Sequence, residues 1–152
     1  MPAYKFTPET AERFSQFMEE EVPFNLFLGL KVVRLEEGFS RVELPFRPEF
    51  IGDPVRPALH GGVISTLADT CGVAAIFTSA GSTEGISTVD LRVDYLRPGR
   101  SETLVAEGRV VRQGDRVGVV DIHVFHPESS EKPVATGKGV YNIRRPEEGA
   151  GG

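Results

Sequence analysis

The sequence predicts an α+β chain in which a strongly curved antiparallel sheet wraps around one long apolar helix. Three observations predict it. Residues 61–80, GGVISTLADTCGVAAIFTSA, are apolar nearly all round and hold Asp69 as their single ionised side chain, the pattern of a helix covered on every side. Four long strand candidates follow, at 86–96, 102–112, 116–126 and 133–144, with apolar and polar residues alternating. These strands carry interior glycines, Gly108, Gly118, Gly137 and Gly139. Interior glycine weakens a strand, so strong curvature or the close approach of another segment must explain it.

The elements follow in chain order. Residues 8–22, PETAERFSQFMEEEV, read as a peripheral amphipathic helix: Thr7 can cap it, Pro8 suits its first position, and Phe14, Phe17 and Met18 recur at helical spacing. Pro23 is expected to end it. Residues 30–36 and 39–46, joined by Glu37-Gly38, read as a hairpin. Pro48, Pro54 and Pro57 exclude regular pairing over 47–59. The apolar helix runs over 61–80, with Gly81 closing it. In the strand 86–96, Val89, Leu91, Val93 and Tyr95 are expected to face one way and Asp90, Arg92 and Asp94 the other. Pro98-Gly99 and Gly114-Asp115 make turns, and the tail 146–152 is expected to be disordered.

At 152 residues the chain suits one compact domain, 1–152. A net charge of −5 argues against a general nucleic-acid binder and against a protein held on anionic membrane by a basic face. Cys71 is the only cysteine, so no internal disulfide is possible, and its apolar setting reads as small core filler. The N-terminal residues lack the charged-then-apolar layout of a secretory signal, and no uncharged apolar run approaches the roughly 20 residues that cross a bilayer. A cytoplasmic location is expected.

The chemistry concentrates at residues 60–69. His60-Gly61-Gly62 opens the apolar helix. The two glycines leave the first backbone N–H groups uncovered, at the positive end of the helix dipole, where they can receive a carbonyl oxygen or an oxyanion. Gly-Gly also suits a tight turn or close packing, so the pair alone does not decide. A carboxylate in an apolar helix must find a partner or open onto a polar cleft. Asp69 is then a structural acceptor, a general base or a nucleophile. Eight residues separate Gly61 from Asp69, about 12 Å along a helix axis. Groups so far apart cannot act on one carbonyl and its attacking water. If both are catalytic, the helix start of one protomer must meet the mid-helix acid of another, twice per twofold dimer. The three histidines, His60, His123 and His126, form no zinc pattern, and no GxSxG element is present.

Three segments together, His60-Gly61-Gly62, Leu67-Ala68-Asp69 and TVDLRVDYLRP over 88–98, resemble the hotdog-fold acyl-CoA thioesterases, and within them the PaaI-like, acyl-CoA thioesterase 13-like branch. The resemblance covers about residues 24–144. It implies a hotdog fold, a homodimer with a continuous sheet and shared sites, and commonly a homotetramer of two dimers. It also implies hydrolysis of an acyl-CoA thioester with no metal and no cofactor, coenzyme A being part of the substrate. By motif match, Gly61 would polarise the thioester carbonyl through its N–H. Asp69 would be general base or nucleophile. His60 would hold the helix entry or place the thioester, and Thr88 would hold the water, with Ser87 as the neighbouring alternative. Gly62, Ser87, Arg97 and Asp53 would contact substrate. Arg97 is the first choice for the phosphates of coenzyme A, ahead of Lys138, Arg112 and Arg116. Relatives often carry Asn or Gln about six residues before the histidine; Pro54 stands there in this chain, beside Asp53. An acyl pocket is expected from the loop 46–59 and from Phe24 and Phe27. The alternative to an enzyme is a non-catalytic acyl-CoA binding or sensing module on the same fold. A hydratase would need a histidine paired with an acid in the catalytic segment, and none stands near Asp69.

Overall fold

The computed structural model describes residues 6–81 and 83–147. Helix α1 (Pro8–Gln16) is capped by Thr7, whose side chain accepts from the Thr10 N–H at 3.1 Å. The expected helix over 8–22 does not continue regularly. Residues Phe17–Glu21 form a π-turn, in which the Val22 N–H reaches back five residues to the Phe17 carbonyl. The wider turn buries Met18, leaves Phe17 half exposed, and lets the Glu19 carboxylate accept from the Val32 N–H at 2.7 Å. Pro23 ends this helical run as expected, Val22 before it being extended (φ −84°, ψ 109°). It takes the first position of a new helix, α2 (Pro23–Leu28), which ends at Gly29 with φ +77°, the left-handed conformation glycine adopts without strain.

Strands β1 (Lys31–Glu36) and β2 (Phe39–Leu44) form the hairpin, turning at Gly38 with φ +79°. The proline-rich stretch carries more order than expected. Pro48–Phe50 is a 3₁₀ turn, and the short strands β3 (Ile51–Asp53) and β4 (Ala58–Leu59) pair with each other. Pairing survives because Pro54 and Pro57 lie in the turn between them and deny no N–H to the ladder. Helix α3 (Gly61–Ala80) matches the expected 61–80, and Gly81 closes it with φ +79°. Then come β5 (Gly85–Tyr95), β6 (Leu104–Gln113), β7 (Val117–Phe125) and β8 (Ala135–Arg144).

Six strands make one antiparallel sheet in the order β1-β2-β6-β7-β8-β5, so β5 is an edge strand. The sheet wraps α3. Leu67, Ala68, Cys71, Ala75 and Ile76 are fully buried in one core with Val42, Val120, Ile122 and Tyr141. The helix is long and apolar enough to cross a bilayer, yet the sheet buries one side of it and it is the core helix of the fold. Val63, Ser65, Thr66, Asp69 and Val73, away from that side, are only half-buried.

Gly108 and Gly118 mark where the sheet touches this helix, while a Cβ on Gly137 would meet the Arg92 carbonyl of β5 at 2.9 Å. A Cβ on Gly118 would lie 2.3 Å from Ile76 Cδ1, and one on Gly108 3.2 Å from Cys71 Sγ. Tyr141 passes between β8 and α3 in a slot that a Cβ at Gly72 or Gly139 would fill. One strand departs from simple alternation. The register of β5 against β8 shifts between Thr88 and Asp90, so Val89 bulges out and is exposed, while Leu91 and Val93 pack on the core. A bulge inserts one unpaired residue and resets the facing of those after it. Of the tail 146–152, residues 148–152 lie outside the described residues, and Pro146 and Glu147 belong to no element.

Candidate active site

The start of α3 is held by its own first histidine. His60 has extended backbone (φ −63°, ψ 132°), and its Nδ1 accepts from the Gly62 N–H at 2.8 Å. Accepting this bond requires Nδ1 itself to carry no proton. This is an N-cap made with a histidine side chain. The His60 N–H donates to the Phe50 carbonyl at 2.8 Å, and a Cβ on Gly52 would lie 2.7 Å from His60 Cα. Strand β3 therefore runs directly across the helix entry.

With Gly62 occupied, the Gly61 N–H is the donor left without a partner among the described residues. Tyr95 stands beside it. The Tyr95 hydroxyl donates to the Gly61 carbonyl at 3.1 Å and shares a short hydrogen bond with Ser65 Oγ. A Cβ on Gly61 would lie 3.3 Å from the Tyr95 ring. Sequence reasoning assigned Tyr95 only a place in the strand pattern and passed over Ser65. The available signal was helical spacing, since Ser65 stands four residues after Gly61 and shares its face.

Two turns further on, Asp69 is half-buried and Thr88 Oγ1 donates to its Oδ1 at 2.8 Å. Among the described residues no cation pairs with this carboxylate. Ser87 alternates to the other side of β5, opposite Asn142 on β8. The structure thus brings Thr88, and not Ser87, to Asp69. Behind the pair, the Tyr141 hydroxyl donates to the Asp69 backbone carbonyl at 3.3 Å. Burial, and next the Asp69 charge, push the Tyr141 hydroxyl well above its ordinary value, so it stays a neutral donor.

The remaining expected residues lie apart from these two groups. Asp53 Oδ1 accepts from the Val55 and Arg56 N–H groups at 3.0 and 3.2 Å, and its Oδ2 meets Arg56 Nε at 3.2 Å. The Arg56 backbone N–H, then that of Val55, hold its carboxyl below the usual range. Asp53 caps its own turn. Arg97 is exposed just beyond β5, with Nη1 donating to the Pro133 carbonyl at 2.9 Å. Lys138 pairs with Asp121 at 3.1 Å, and Arg116 approaches Asp115 at 3.9 Å. His126 is buried, accepting at Nε2 from the Arg100 N–H at 2.9 Å, and His123 is exposed. Cys71 is fully buried beside Ser40, and burial pushes its thiol up to about 12. Among the described residues no three His, Cys, Asp or Glu side chains come together as a metal site.

Of the residues expected around an acyl pocket, Phe50 and Leu59 are buried in the core and Phe46 packs against it. Phe24 and Phe27 are exposed, and Phe27 lies under the Arg47 guanidinium at 5.5 Å. A cleft of about 770 Å³, lined by Phe14, Phe17, Met18 and Phe77 but also by Arg13, Glu21 and Glu84, opens between α1, the π-turn, the second half of α3 and the start of β5. On α2 Phe24 and Phe27 turn outward, while Phe14 and Met18 pack inward beside Phe77.

Comparison with known proteins agrees with this architecture. The family model described as the thioesterase superfamily matches residues 57–132. The medium/long-chain acyl-CoA thioesterase YigI of Escherichia coli K12 is 35% identical over 139 residues, covering 78% of this chain and 88% of the relative. A crystal structure from Shewanella oneidensis, related to the thioesterase superfamily, superposes with a TM-score of 0.82 at 31% identity, covering 89% and 95% of the two chains. The PaaI protein of the E. coli phenylacetic acid degradation operon superposes with a TM-score of 0.76 at 27% identity, covering 88% and 92%. This chain belongs to the thioesterase superfamily, with the PaaI-like hotdog architecture.

Proposed function

We propose that this thioester hydrolase cleaves acyl-CoA to the free acid and coenzyme A, in sites shared between two protomers. Asp69 activates the water, and the Gly61 N–H of the partner subunit polarises the carbonyl. The observation that carries the reading is the single-chain geometry. An unpaired amide donor and a half-buried acid with no cation lie two helical turns apart, about 12 Å. Neither can serve the other within its own chain. Twofold pairing through the β5 edge would place each against its complement and would continue the sheet across the dimer. Relatives named for acyl-CoA hydrolysis support the substrate class. Arg97 is the proposed contact to a coenzyme A phosphate, Gly62 orients the helix start, and Thr88 holds Asp69 toward the water. A cytoplasmic homotetramer of two such dimers, using no metal, belongs to the same proposal.

A thiol-release assay with an acyl-CoA panel tests it. The wild-type chain should release coenzyme A, and Asp69→Asn should reduce turnover at least about a hundredfold, the scale of a lost general base, while leaving folding and dimerisation intact. Tight acyl-CoA binding without release would instead support a sensing module.

A further inference from the structure

The peptide joining Gly61 to Gly62 is held at both its oxygen and its nitrogen. Its carbonyl accepts from the Tyr95 hydroxyl at 3.1 Å, and its N–H donates to His60 Nδ1 at 2.8 Å. A carbonyl can only accept, so the single Tyr95 hydroxyl proton lies on that bond. The Ser65 hydroxyl must then donate to the Tyr95 oxygen. The result is one directed chain, from Ser65 to Tyr95 to the Gly61 carbonyl, and through the same peptide from the Gly62 N–H to His60. Two rings also occupy the places of the missing side chains. A Cβ on Gly61 would lie 3.3 Å from Tyr95 Cε1, and one on Gly62 would lie 2.9 Å from His60 Nδ1. The next carbonyl, that of Gly62, receives the Thr66 hydroxyl at 2.8 Å from within its own helix. Tyr95 instead reaches across from β5, where it pairs with Ala135 of β8.

Resting on the acyl-CoA reading above, we infer that Tyr95 is a positioning residue for the reaction, with Ser65 acting through it. Together they fix the bearing of the Gly61 N–H, the proposed carbonyl donor. Glycine has the most backbone freedom of any residue, and two in succession at a helix start would let the first N–H groups swing. A donor that stabilises developing charge must already point at the place the oxyanion takes, held within about 0.5 Å and 10–20°. Tyr95 supplies that restraint from a strand locked in the sheet, and it acts through Gly61 rather than on the substrate. Ser65 adds to it, because a hydroxyl that itself accepts a hydrogen bond donates more strongly. The paired glycines thereby have two reasons. Bare backbone leaves the Gly61 N–H open, and it admits the Tyr95 and His60 rings against the peptide that must not move.

Tyr95→Phe keeps the ring against Gly61 and removes the hydroxyl. With the acyl-CoA turned over fastest in the panel above, kcat should fall about tenfold, the scale of one net hydrogen bond. KM should stay within about twofold, because the bearing of the donor matters more in the transition state than in the ground state. Ser65→Ala should lower kcat about threefold, since it removes only the hydroxyl that strengthens Tyr95. Because Ser65 acts through Tyr95, the double variant should match Tyr95→Phe instead of showing the product of the two losses. Melting temperature and elution volume should be those of the wild type, Tyr95 being half exposed. Wild-type kcat in Tyr95→Phe, a loss carried by KM, multiplied losses in the double variant, or a fall in kcat matched by a fall in stability would each overturn the positioning role and leave thioester hydrolysis standing. A wild-type chain that hydrolyses no acyl-CoA would instead remove the reading on which the role rests.

Discussion

Thr88 on the edge strand donates its hydroxyl to the Asp69 carboxylate on the enclosed helix, Oγ1 to Oδ1 at 2.8 Å. The bond ties a side chain of β5 to the middle of α3 and uses one of the carboxylate's two oxygens. Thr88→Val keeps the shape and β-branching and removes the donor. It should lower kcat about tenfold with little change in melting temperature, because a hydrogen bond to a partly exposed charge adds only about 1–2 kcal/mol. A loss of kcat that appears equally as a loss of stability would show the hydroxyl to be structural.

The histidine cap makes a separate prediction. His60 Nδ1 receives the Gly62 N–H at 2.8 Å, so His60→Ala removes the cap and should destabilise the fold by about 1 kcal/mol. Asn can offer an oxygen acceptor at the same position and should recover most of that loss. Thermal melts of the two variants check it. Equal melting temperatures for Ala and Asn would mean that the cap contributes nothing.

The close contact of sheet and helix can be tested by relieving it. A Cβ on Gly118 would meet Ile76 Cδ1 at 2.3 Å. Gly118→Ala should destabilise the protein by about 1–3 kcal/mol through overpacking. Ile76→Val removes the atom that is struck, so the double variant should be more stable than the Gly118→Ala single variant. Denaturant unfolding of the four proteins gives the coupling energy, and additivity would show that the two residues do not oppose each other.

Cys71 should behave as a buried apolar residue. Its thiol is fully buried and pushed up to about 12, so at pH 8 about one part in ten thousand is thiolate. Iodoacetamide should leave the native protein unmodified for hours and label it within minutes in guanidinium. Because the thiol titrates upward, native labelling should accelerate as the pH is raised. Rapid native labelling at pH 8 would contradict the enclosed position of this face of α3.

The parts of the fold written in local chemistry were legible in advance. Helix α3 was bounded by His-Gly-Gly and Gly81, and its uniform apolarity announced an enclosing sheet. The interior glycines announced close packing, and Gly118 and Gly108 touch the helix as that reasoning requires. Thr88 could be paired with Asp69 only by motif, because sequence alternation cannot say whether Ser87 or Thr88 faces inward until the strand's register is known. The bulge at Val89 was hidden for the same reason. Pro23 ended the first helix as read, but its second role as the start of α2 was hidden, because a proline that ends one helix and a proline that starts the next look identical in sequence. Tyr95 escaped notice because its partners, Gly61 and Ser65, stand 34 and 30 residues away.

Mixing two inactive chains tests the shared site most directly. Asp69→Asn lacks the acid. Gly61→Pro lacks the amide donor, yet suits the first position of a helix that follows extended backbone at His60. Each homodimer should be inactive. Unfolded together and refolded in equal amounts, about half the dimers should be hybrids, each with one intact site, in which Gly61 of the Asp69→Asn chain faces Asp69 of the Gly61→Pro chain. Sites shared across the dimer predict recovery of about a quarter of wild-type turnover. No recovery, from hybrids shown by mass spectrometry to have formed, would contradict the sharing of each site between two protomers.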